Sequence, residues 1–200
     1  MVVPCWNPDG LQAGTRYNAN GVDLNRNFPT GWNPHSDEPP GPGPLSEPES
    51  QALHSLILEI QPRKIVSLHW ALAELDADGL QSRDFLAAIW NSLSDEERVP
   101  YRCRLSRHPD DSECPGSLGK WCGYGLHSVW GWGPAIVTLE LPAEPLVPRA
   151  VELPSDHLQT VQARWRRDSV GYLQEAEPAV RKMLLAACRF PTETEDSNHP

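Results

Sequence analysis

The apolar positions of this chain fall into two spacings. Ala52, Leu53, Leu56, Ile57 and Ile60 recur three and four residues apart and predict a helix with these residues as its buried stripe. Ser46-Glu47-Pro48-Glu49 marks its start, with Ser46 as N-cap, Glu49 as capping-box partner and Pro48 in the first turn, and Pro62 stops it. Residues 64–69 (Lys-Ile-Val-Ser-Leu-His) read instead as a short buried strand, because β-branched side chains favour extended backbone; His69 then stands near its C-terminal end, the sheet edge where ligands gather in α/β folds. Phe85, Leu86, Ile89, Trp90 and Leu93 predict a second amphipathic helix, and residues 135–141 a second buried strand in which Glu140 is the odd residue. From Ser155 the helical period returns with Leu158, Val161 and Trp165, and Pro178 predicts a break before Val180, Met183, Leu184 and Ala187.

Between these patterned segments lie polar stretches. The first thirty residues are dense in Asn, Asp, Gly and Arg, the composition of functional loop, and the Pro-rich run from Pro34 to Pro44 reads as a surface excursion. The alternation of strands and helices predicts an α/β layered fold with a mixed, mainly parallel sheet flanked by helices. With 200 residues the expected organisation is one domain over residues 1–190, followed by a polar, disordered tail over residues 191–200.

Charge narrows the partners. A formal net charge of −10 disfavours nucleic acid and anionic membrane surfaces, both of which select basic proteins. No apolar run approaches the roughly 20 residues that cross a bilayer, and the opening Met1-Val2-Val3-Pro4-Cys5 lacks the pattern of an export signal. Cys5, Cys103, Cys114, Cys122 and Cys188 are odd in number and show no CxxC spacing, so reduced, mostly buried thiols and a cytoplasmic location are the expectation.

Three clusters carry chemistry: Asn7-Pro8-Asp9-Gly10 with Arg16 and the run from Gly21 to Pro29 (GVDLNRNFP), then Ser67-Leu68-His69, then Thr138-Leu139-Glu140-Leu141-Pro142. With the SEPE helix start and Pro115-Gly116-Ser117, their order and spacing resemble the zinc carboxypeptidase family, and within it the murein peptide amidases, from Val3 to about Pro142. The resemblance implies a zinc-dependent metallocarboxypeptidase or amidase that hydrolyses a peptide bond near a free carboxylate, with a cell-wall (murein) peptide among its candidate substrates. Such a reaction calls for a Lewis acid, a base for the attacking water, and cations for the oxyanion and the terminal carboxylate.

By this resemblance His69 is a zinc ligand and Glu140 the general base, Arg16 polarises the scissile carbonyl, Asn25 and Arg26 grip the substrate carboxylate, and Asp23 orients a zinc-bound histidine from behind. A turn-stabilising Asp23, solvated arginines and a solvent-facing Glu140 are the plainer alternatives. The family takes its other two ligands for the single Zn2+ from an HxxE motif on a strand before the NPDG turn, so the chain is expected to be an N-terminally shortened form lacking the first strands. His35-Ser36-Asp37-Glu38 fits HxxE in letters but follows the Arg26 segment. The family's substrate-covering tyrosine has no match just before Pro115, leaving Tyr101 and Tyr124 as substitutes, and Trp130 and Trp132 in the Gly-rich stretch 125–134 are read as packing rather than substrate contacts. Two further readings stay open: a metal-free module, or inactive fragment, that captures peptide carboxylates, and a hydrolase of N-acyl amino acids.

Overall fold

A computed structural model describes residues 1–111, 114–142 and 176–191. The chain packs as two compact units, one built from Met1–Ile65, Asp78–Gln81 and Ser106–Ile136, the other from Val66–Ala77, Ser82–Leu105 and Val137–Pro200.

In the first unit the NPDG sequence opens a helix rather than a turn. Asn7 caps α1 (Pro8–Ala13) by accepting from Gly10 N at 2.9 Å, and Gly14 ends it in the left-handed conformation at φ 66°. Helix α2 runs Pro48–Ile60, one residue later than the expected cap: Glu47 is its N-cap, and Ser46 Oγ donates to Glu47 Oε1 at 2.7 Å instead of capping the backbone. Its buried stripe also differs, since Ile57 is buried with Leu53 and Leu58 against the core while Ala52 and Ile60 are exposed. Phe28 and Trp121 stack with centroids 5.2 Å apart at the centre of that core, joined by Ile57, Leu118, Cys122, Leu126 and Ile136. Each such fully buried side chain contributes about 1.5–3 kcal/mol.

The stretch before the second predicted strand is helical, not loop. Ser117 Oγ accepts from Lys120 N at 3.1 Å to start α5 (Leu118–Lys120), which passes through a π-turn at Trp121–Gly125 into α6 (Leu126–Trp130) and ends on left-handed Gly131. Close approach explains the glycines in the π-turn, because a Cβ on Gly125 would lie 2.0 Å from Thr30 Oγ1. Trp132 packs against the core, as the sequence reading favoured, whereas Trp130 is 60% exposed.

Among the described residues the strands form a three-stranded sheet in the order β2-β1-β3, with β1 at Lys64–Asp78, β2 at Arg102–Ser106 and β3 at Ala135–Pro142. Ala135 N donates to Arg63 O at 2.9 Å and Glu140 stands beside His69, so positions rise together along β3 and β1, and the pair is parallel. Likewise Arg104 lies beside Asp76, and Gly79 N donates to Ser106 O at 3.0 Å, which makes β2 parallel to β1. Strand β1 is far longer than expected: it continues past His69, which therefore sits inside the strand and not near its end. In the continuation Glu74 and Asp76 alternate with buried Ala73, Leu75 and Ala77, the period-two pattern of a strand with one face inward. The 64–69 stretch is half-buried, with Leu68 exposed.

In the second unit α3 (Arg83–Trp90) buries Phe85, Leu86 and Ile89 as its period predicted, and Leu93 just after it is buried too. Residues 176–189 form a further helix that buries Met183 and Ala187 and brings the Phe190 ring 5.2 Å from that of Phe85. Residues 176–189 are helical on both sides of Pro178, so the described residues show no break there. The predicted helix with Leu158, Val161 and Trp165, and residues 192–200 of the tail, lie outside the described residues. All five cysteines are free thiols; Cys122 is the buried one, so the expectation of buried thiols fails at Cys5, Cys103 and Cys188, which are exposed, and Cys114, which is intermediate. Among the described residues no helix is long and apolar enough to cross a membrane.

Candidate active site

Adjacent parallel strands put His69 and Glu140 on one face of the sheet. His69 Nδ1 lies 3.8 Å from Glu140 Oε1, with side chains 19% and 15% exposed. Leu139 beside Glu140 is buried, so the alternation of β3 turns the carboxylate to the face opposite its apolar neighbour. Ser67, two residues before His69 and hence on the same face, places Oγ 3.0 Å from Nε2. The imidazole is thus flanked by a hydroxyl on one ring nitrogen and a carboxylate on the other. A tautomer with its N–H on Nδ1 faces that N–H to Glu140 and lets Nε2 accept from Ser67.

The second cluster belongs to the first unit. Arg16 directs Nε and Nη2 to Asp23 Oδ2, at 2.9 and 2.7 Å, while Asp23 Oδ1 accepts from Asn25 N at 3.0 Å and caps the 3-10 turn Leu24–Arg26. Both oxygens of Asp23 are therefore engaged within this cluster. Asp23 is buried, whereas the Arg16 side chain is 45% exposed and its Nη1 makes no hydrogen bond among the described residues. Burial of the guanidinium works against its charge, but Asp23, then Glu38, outweigh this and hold the Arg16 pKa above the ordinary value. Asn7 Nδ2 donates to Arg16 O at 3.1 Å, tying the NPDG cap to the backbone of the arginine.

Asn25 and Arg26 follow directly. Asn25 Oδ1 accepts from Leu118 N at 3.0 Å and Arg26 Nη1 donates to Asn25 O at 2.9 Å, and among the described residues the Asn25 amide N–H groups and the Arg26 Nε and Nη2 make no further hydrogen bond. Gly116 of the PGS triplet locks this segment in place. Its carbonyl accepts from Phe28 N at 2.8 Å, its N–H donates to Thr30 O at 3.1 Å, and at φ 69° a Cβ would stand 2.3 Å from Arg26 O.

Beneath the run NANGVDLNRNF lies a buried carboxylate that sequence reading passed over. Glu47, 2% exposed, accepts from Asn18 Nδ2 at 2.8 Å, Asn20 Nδ2 at 2.7 Å and Ser46 Oγ at 2.7 Å. Burial alone would raise its pKa; the three hydrogen bonds outweigh it and lower the pKa below the usual carboxylate range. Asn27, wholly buried, donates to Pro40 O, Gly43 O and Ser46 Oγ, pinning the Pro-rich excursion. A dense set of asparagines beside an acidic helix start is the signal that could have marked this network.

A catalytic zinc takes three protein ligands. Among the described residues no group of three His, Cys, Asp or Glu side chains is arranged to hold a metal, so His69 and Glu140 by themselves do not complete a zinc site. Glu38 of the His35-Ser36-Asp37-Glu38 run is engaged elsewhere: it accepts from Tyr17 Oη at 2.7 Å and lies 3.9 Å from Arg16 Nε. Tyr101 is fixed in the core, where burial pushes its pKa up to about 12.

Fold and motifs together define an α/β protein whose described strands form a parallel sheet. The family model for zinc carboxypeptidases matches residues 1–72. Murein peptide amidase A of Escherichia coli (strain K12) is 39% identical over 151 residues, covering 68% of this chain and 58% of the relative. The crystal structure of the murein-tripeptide amidase MpaA from Escherichia coli O157 is similar at a TM-score of 0.50 and 32% identity, over 82% of this chain and 67% of that one. Carboxypeptidase A from Helicoverpa armigera shares the fold at a TM-score of 0.51 and 19% identity, over 96% of this chain and 52% of that one. This chain belongs to the zinc carboxypeptidase family, and it spans 58% of the length of the curated amidase it matches.

Proposed function

We propose that the chain provides part of the catalytic apparatus of a peptidase or amidase that hydrolyses a peptide bond near a free carboxylate, with murein peptides as the substrate class. Family membership supports the reaction type, and the amidase relatives support the substrate class. The observation that carries the reading is the half-buried carboxylate of Glu140 beside the His69 imidazole. A carboxylate shielded from bulk water but not sealed off suits a general base, which takes a proton from the attacking water and returns it to the leaving amine. Arg16, whose Nη1 makes no hydrogen bond among the described residues, stabilises the developing oxyanion, and Asn25 and Arg26 recognise the substrate carboxylate through paired N–H donors. The zinc of this family is proposed for the protein as well, with His69 as one ligand and the remaining ligands from outside the described residues.

The test compares a murein tripeptide carrying a free terminal carboxylate with the same peptide amidated at that position, followed by mass spectrometry. Cleavage of the free acid with loss of most turnover on amidation supports the reading. Equal turnover of both would remove the carboxylate-recognition role of Asn25 and Arg26, and binding of the free acid without cleavage would favour a peptide-capturing module.

A further inference from the structure

Arg16 stands in a ring of three side chains. Asp23 binds it directly through Nε and Nη2. From the opposite end of the sequence segment, Glu38 in the Pro-rich excursion brings Oε1 to 3.9 Å from Nε, and its Oε2 is held by the Tyr17 hydroxyl at 2.7 Å. Tyr17 adjoins Arg16 in sequence, so the hydroxyl anchors Glu38 to the same short stretch of chain that carries the guanidinium. The excursion is itself pinned, because Asp23 N donates to Pro39 O at 2.8 Å and Asn27 Nδ2 donates to Pro40 O at 2.7 Å. Glu38 is accordingly a positioned charge: its carboxylate is fixed by an aromatic hydroxyl, and its backbone neighbour is fixed by the residue that binds Arg16.

We infer that Glu38, held by Tyr17, is a positioning residue that fixes the Arg16 guanidinium with Nη1 outward; the inference rests on the role proposed above for Arg16. Two carboxylates along one edge of a guanidinium restrict its rotation about the terminal bonds more than one does. A rotated guanidinium presents a different N–H to the oxyanion, and small misplacements of an oxyanion donor carry large rate penalties. Glu38 touches no reacting atom; it acts through Arg16. This also gives the Pro-rich excursion a task, which a plain surface loop would lack.

The test combines kinetics with a spectroscopic readout on the purified protein. With a murein tripeptide, Glu38→Gln and Tyr17→Phe are expected to lower kcat about tenfold with KM within about twofold. In an Arg16→Ala background the same substitutions are expected to have no further effect, since the residue they act through is gone. Equal penalties with and without Arg16 would overturn the inference. Independently of turnover, NMR exchange of the Arg16 Nε–H with solvent is expected to accelerate at least tenfold in Glu38→Ala, and an unchanged exchange rate overturns the inference even if the protein proves to have no hydrolase activity. Absence of turnover in the unsubstituted protein would count against the proposed function alone. Circular dichroism of Glu38→Gln identifies a variant that has lost its fold, in which case Tyr17→Phe, which retains the carboxylate, supplies both readouts.

Discussion

His69 and Glu140 sit side by side on neighbouring parallel strands, 71 positions apart in sequence and with Nδ1 3.8 Å from Oε1. Register produces this pairing: the bond from Ala135 N to Arg63 O puts Ala135 opposite Lys64, and five residues further along both parallel strands Glu140 falls opposite His69. A one-residue slip of β3 would turn Glu140 to the other face. With His69 as the single proposed ligand among the described residues, the chain is expected to bind zinc weakly. Calorimetric titration of the chain should give weak binding that His69→Ala abolishes; unchanged affinity in that variant would remove His69 from the metal's coordination.

Glu47 predicts a pH dependence with a defined sign. Its folded pKa lies below the unfolded value, so its contribution to stability is present above the usual carboxylate range and is lost as pH falls through the lowered folded value. Thermal unfolding followed across acid pH should show this loss. Glu47→Gln should flatten the dependence, and removing the carboxamide partners in Asn18→Ala should cost about 1–3 kcal/mol at neutral pH.

Much of this was legible in the sequence, and the misses share a cause. Segments with a clear apolar period, α3 and β3, came out as read, and the motif residues identified the family. Strand β1 was read only over residues 64–69, yet it continues through Glu74 and Asp76, and the burial of Ala73, Leu75 and Ala77 between them shows that charge on one face does not end a strand. The cap of α2 was placed at Ser46 from local pattern, but the tertiary demand of Asn18, Asn20 and Asn27 draws Ser46 and Glu47 into side-chain contacts. Partners 19 to 29 residues away leave no periodic trace. The same holds for Glu38, whose HxxE spelling hid a role beside Arg16.

Gly116 should tolerate no side chain. With φ 69° and a Cβ site 2.3 Å from Arg26 O, Gly116→Ala combines left-handed strain with a backbone clash, and is expected to destabilise the fold by at least about 2 kcal/mol. Chemical denaturation measures it directly. An unaltered midpoint would mean that the segment from Asn25 to Phe28 is not held as described.

The two tryptophans near α6 are expected to separate by burial. Trp132→Ala should cost about 3 kcal/mol or more by opening the core, while Trp130→Ala should stay within about 0.5 kcal/mol. Equilibrium unfolding of the two variants side by side settles the assignment of packing to Trp132.

Glu140 is proposed to take the proton of the attacking water. Steady-state hydrolysis of a murein tripeptide by the Glu140→Gln variant tests it, because glutamine keeps the shape and removes the base. The expected result is a fall in kcat of about 10²–10⁴ with KM little changed. A variant that turns over substrate at the unsubstituted rate would contradict the account.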